Sequence, residues 1–83
     1  MDSIKLLKEY SSQLLGIANG VGQVAEELNE RYYKMSSEAK RSNKGEALWS
    51  IRFSIDLLQR DLKQKSFSLE GLTKNIIKEK FLD

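Results

Sequence analysis

Two runs of apolar residues recur at alternating intervals of three and four, and a single short polar cluster separates them. That spacing puts the apolar side chains on one stripe of a helix, whereas a half-buried strand would need a period of two. No proline interrupts either run, so each half is free to form one long helix. In the second half the series is Leu48, Ile51, Ile55, Leu58 and Leu62. It breaks at Lys65 and resumes at Leu69, Leu72 and Ile76. Gly71, Ser66 and Ser68 weaken that stretch, which is expected to loosen near residues 65–68 but continue. The first half reads Ile4, Leu7, Ser11, Leu14, Ala18, Val21, Ala25, Leu28, Tyr32, Met35 and Ala39, large alternating with mostly small. Tyr10, Ile17 and Val24 widen this stripe on one side. Small residues let a facing helix come close.

The polar cluster Ser42-Asn43-Lys44-Gly45 is read as the turn, with Ser42 or Asn43 capping the second helix and Glu46 in its first turn. The expected fold is all-α: one domain over residues 1–83, an antiparallel two-helix hairpin with helices at about 3–41 and 45–81. A short connection makes the helices antiparallel. A chain of 83 residues without cysteine has no disulfide to support a thin core, so the hairpin is expected to complete a four-helix bundle with a partner. Trp49, Phe53 and Leu57, spaced by four, form an aromatic ridge with a polar rim, which Phe67 extends loosely. These four are the candidate partner-binding residues. The simpler alternative is that Trp49 and Phe53 merely cover the end of the hairpin. Gly16, Gly20 and Gly22 either weaken the first helix or mark the approach of a partner's backbone.

Catalysis is not expected. Histidine and cysteine are absent, so no Ser-His-Asp or Cys-His set exists and the commonest metal ligands are missing. The glycines lack the spacing of a phosphate loop. Glu26, Glu27 and Glu30 read as solvated charges, and Asp56 and Asp61 as ion-pair partners of Arg52, Arg60 or Lys65. No cofactor, metal or small-molecule substrate is expected. A net charge of +2 from scattered basic residues does not point to nucleic acid. No run approaches a membrane span, and the N-terminus does not have the form of a cleaved signal.

The turn segment Asn43-Lys44-Gly45-Glu46-Ala47, followed by Ile51, resembles the turn of the WXG family, helical hairpins exported by type VII secretion systems. Gly45, Glu46 and Ala47 match that pattern. Asn43 stands at the tryptophan position, and Ile51 where an aromatic is usual. Hairpins without the tryptophan are similar to the small partner proteins of LXG toxins. The resemblance implies a partner or targeting factor for the helical domain of a secreted toxin, or a homodimer. It implies residence in the cytoplasm before export, and any secretion without a cleaved signal. The family's export signal is an aromatic followed four residues later by an acid, and Phe81 with Asp83 is a shortened version. The chain also resembles needle and inner-rod subunits of type III secretion in its size and its Ile76, Ile77 and Phe81 segment. That resemblance implies a filament subunit. A small cytosolic regulator or antitoxin is a third reading.

Overall fold

The computed structural model describes residues 2–82 and is an all-helical hairpin, with no strand among the described residues. Helix α1 spans Ser3–Tyr33, a short helix α2 spans Ser37–Arg41, and helix α3 spans Asn43–Lys78. The two long helices lie side by side in a rod of 60 × 16 × 15 Å. Asp2 starts α1, its carboxylate accepting from the amides of Ile4 (3.0 Å) and Lys5 (3.3 Å).

The turn is longer than the polar cluster suggested. Helix α1 stops at Tyr33, not near residue 41, and two serines set the new boundaries. Ser36 and Ser42 are both extended (ψ 161° and 164°), and each caps the helix after it. The Ser36 hydroxyl accepts from the Ala39 amide at 3.1 Å, and the Ser42 hydroxyl accepts from the Gly45 amide at 3.2 Å. A serine that can bond a free amide two or three residues ahead competes with continuation of the preceding helix. Met35 and Ala39, expected on the seam of the first helix, therefore belong to the turn. Asn43 is the first residue of α3, not its cap. At the other end α3 stops at Lys78 instead of residue 81. Lys80 adopts φ 59°, and the amides of Lys80 and Phe81 donate to the carbonyls of Ile77 and Ile76, both at 3.1 Å. That closure ordinarily uses glycine at the left-handed position.

Helix α1 uses the stripe read from its sequence. Ser11, Ala18 and Ala25 are buried, and Leu7, Leu14, Val21 and Leu28 are half-buried. Helix α3 keeps only half of its stripe. Leu48, Ile55, Leu62, Leu69 and Ile76 are half-buried against α1, but Ile51, Leu58 and Leu72 are exposed. Their expected places are taken one residue later by Arg52, Gln59 and Thr73, and Ser66 does the same one residue after Lys65, where the apolar series breaks. Ser66 and Thr73 are each only 3% exposed, against 53% for Ile51. Small side chains in α1 admit a close neighbour only where α3 is also small or flexible, so the contact rotates towards the serine and threonine. Two hydrogen bonds fix the register. The Ser11 hydroxyl donates to the Ser66 carbonyl at 3.0 Å, and the Ser66 hydroxyl donates to the Ser11 carbonyl at 2.7 Å. Helix α3 continues unbroken through residues 65–68.

The hairpin therefore has two unlike sides. Ser11 and Ala25 of α1, with Gln59, Ser66 and Thr73 of α3, line shallow grooves on one side. Leu15 and Ile77 also line the groove beside Ser66, and the alternation of three and four places the half-buried Leu7, Leu14, Val21 and Leu28 of α1 and Leu48, Ile55, Leu62, Leu69 and Ile76 of α3 towards the other side. Among the described residues the apolar core consists of two alanines, Ala18 at 0% and Ala25 at 5% exposure, and no large side chain is fully buried.

Candidate functional site

On α3, Trp49 and Phe53 stand one turn apart and stack, with ring centroids 5.7 Å apart and planes 2° from parallel. Offset stacking of this kind adds about 0.5–1.5 kcal/mol to area burial. Trp49, Phe53 and Leu57 are each about half exposed, so the ridge projects from the rod rather than sealing its end. Phe67 is also exposed and lies fourteen residues beyond Phe53. At 1.5 Å per residue that is roughly 21 Å along the helix, which makes Phe67 a separate spot on the same flank. Beside the ridge Arg60 pairs with Asp56 at 3.1 Å.

Gly45 is buried where α3 meets the turn. A Cβ there would clash with the Ala39 carbonyl oxygen and lie 2.6 Å from the Lys40 Cα and carbonyl oxygen. The backbone of α2 thus rests directly on Gly45, and the requirement is steric, since its φ is not positive. Glu46 and Ala47 follow on the exposed side of the first turn of α3.

A cluster at the turn end was not foreseen. Tyr32 and Tyr33 meet edge to face at 5.8 Å. Arg52 and Lys40 both lie over them: Arg52 is 5.1 Å from the Tyr32 ring and 5.4 Å from the Tyr33 ring, and Lys40 is 5.1 and 5.5 Å away. Arg52 also donates from Nη1 to the Asn29 side-chain oxygen at 2.6 Å, while its Nε is buried without an acceptor. Arg52 was expected to pair with an aspartate. Its place on the helix contact line turns it towards Asn29 and the tyrosines instead. The available clue was its position seven residues before Gln59 and fourteen before Ser66.

Of the three glycines singled out in α1, Gly16 and Gly20 face open space, and a Cβ added at Gly22 would meet the Gln59 side chain at 3.4 Å. Glu27 pairs with Arg31 at 3.0 Å on the exposed surface. Phe81 follows the end of α3 and is exposed, and Asp83 lies outside the described residues. No helix is long and apolar enough to cross a membrane among the described residues.

The arrangement offers apolar and aromatic surface. Fourteen large hydrophobic residues are exposed among those described, on a rod that encloses only two alanines. The class it defines is an unclosed two-helix hairpin. Comparison with protein-family models, curated proteins and solved structures returned no match.

Proposed function

We propose that this protein is a non-catalytic binding module whose hairpin completes a four-helix bundle with the helices of another protein. The observation that carries the reading is the unfinished core: no large side chain among the described residues is fully buried, while Trp49, Phe53 and Leu57 form an exposed ridge. Water-exposed apolar area costs about 25 cal/mol per Å², and covering it with a partner's helices removes that cost. The occupant we propose is the helical domain of a toxin of the LXG kind. In that role the hairpin is a partner or targeting factor in type VII secretion and meets its toxin in the cytoplasm before export. The support is the hairpin layout together with Gly45-Glu46-Ala47 at the start of α3, where Gly45 is required by the approach of the turn.

Affinity purification of the tagged protein from its native cells tests this reading. Recovery of a helical toxin or another secretion substrate supports it, and its absence from repeated purifications contradicts it. Trp49→Ala combined with Phe53→Ala is expected to weaken the complex by about 2–4 kcal/mol in a titration, because buried aromatic anchors dominate such interfaces. Circular dichroism of that variant should keep most of the helical signal. Unchanged affinity would move the contact away from the ridge.

A further inference from the structure

Arg52 and Lys40 are two cations held in place without an anion. Each lies over both Tyr32 and Tyr33, and the two ring centroids are 5.8 Å apart. Distances just above 5 Å from two shared rings leave the positive centres at most about 9 Å from each other. Both side chains are half-buried, and neither joins an ion pair. Among the described residues the pairs are Arg31 with Glu27, Arg60 with Asp56 and Lys74 with Glu70. Of the five N–H donors of the Arg52 guanidinium, one bonds Asn29, and Nε is buried with no acceptor. The Lys40 ammonium rests on the same two rings. An aromatic face attracts a cation but does not neutralise it. Two partly desolvated cations this close repel each other, and an oxyanion between them removes the repulsion and takes up spare donors.

We propose that this cluster takes a carboxylate from the partner helix that covers the Trp49–Phe53 ridge, so that the partner carries Asp or Glu beside its apolar anchors. This rests on the partner-binding reading above.

Position favours a protein carboxylate. Arg52 follows Trp49 by three residues, which places it roughly 4.5 Å along α3 and 60° round it. A helix laid on the ridge therefore has the cluster at its flank. Tyr33 is 66% exposed, so the cluster is open to an incoming side chain.

Charge favours it too. Residues 30–52, at the turn end of the rod, hold six basic and three acidic side chains, a net +3. The rest of the chain holds eight and nine, a net −1. The field at this end attracts an acidic surface and repels a basic one. The anchoring cations are gathered at one spot next to an apolar ridge. That suits a single carboxylate beside apolar side chains, whereas a row of nucleic-acid phosphates calls for cations spread along the rod.

Purified protein with a defined acidic peptide tests the site without the toxin, which keeps its failure separate from failure of the toxin-partner reading. The probe is octaglutamate at about 50 mM salt, followed by nuclear magnetic resonance of the Arg52 Nε–H and the Tyr32 and Tyr33 rings. These signals should shift to saturation, and about 0.5 M salt should reverse the shift. Arg52→Gln or Lys40→Gln should weaken binding about tenfold or more. Lys63→Gln, exposed and roughly 16 Å further along α3, should leave it unchanged. In the complex recovered from native cells, Arg52→Gln and Lys40→Gln should each weaken affinity about tenfold and flatten its salt dependence. Should Arg52→Gln loosen the turn, Lys40→Gln decides, because it leaves the bond to Asn29 in place.

Shifts spread evenly over the lysines of the chain, or binding of octaglutamate unchanged by Lys40→Gln, would overturn the proposal. Unchanged affinity of the Lys40→Gln complex would do the same. So would tighter binding, through these residues, of a single-stranded oligonucleotide of matched charge or of phosphatidylserine vesicles, which would assign the cluster to phosphate.

Discussion

The two sides of this hairpin are built on opposite principles. On the groove side, serine, alanine and threonine bring α1 and α3 close enough for Ser11 and Ser66 to exchange hydrogen bonds across the helices. On the other side, leucine, isoleucine and valine are larger, yet none is fully covered. The tight side thus fixes register and separation with small residues, and the open side carries large apolar side chains without closing over them. Packing precision and hydrophobic content are separable properties, and here they lie on different faces of the same helix pair.

Overfilling the tight side should have the largest effect. Ala18 has no exposed surface, so Ala18→Leu forces the helices apart and is expected to destabilise the hairpin by about 3 kcal/mol in urea unfolding. An effect below about 1 kcal/mol would mean the small row is not closely packed. Gly45→Ala drives a Cβ into the α2 backbone and should cost about 2 kcal/mol, with the turn shifting. Deleting bulk from the open side should matter less. Leu62 is half-buried, so Leu62→Ala is expected to cost about 1–2 kcal/mol, below the 2–5 kcal/mol of a closed core site. A larger loss would show that this side is better enclosed than its exposure indicates. The smallest change is a gain: Gly16 faces open space, and Gly16→Ala should stabilise the free chain by about 1 kcal/mol in thermal unfolding.

Much of this was legible in the sequence, and the failures have physical causes. The α1 stripe could be read because its alternation of large and small residues has one self-consistent period. In α3 two stripes compete. The one through Ile51, Leu58 and Leu72 is more hydrophobic, whereas the one through Arg52, Gln59, Ser66 and Thr73 fits the small residues opposite. Hydrophobicity alone chose the wrong one, because the fit depends on both helices together. The early end of α1 was hidden because Ser36 and Ser42 are weak breakers until each finds an amide to cap. The end of α3 was hidden because Lys80 occupies a conformation usually left to glycine. The Trp49–Phe53–Leu57 ridge was legible as a spacing of four. The tyrosine and cation cluster was not, since it joins residues from the end of α1, α2 and the contact line of α3.

The central claim is that the folded chain is unfinished on one side, and the most direct measurement is its thermal unfolding midpoint, alone and with the helical partner recovered from its native cells. Binding to the native state raises apparent stability by mass action, so the chain alone should melt low and the midpoint should climb as the partner is added. A midpoint that is high for the chain alone and unmoved by the partner would mean that the lone hairpin is complete.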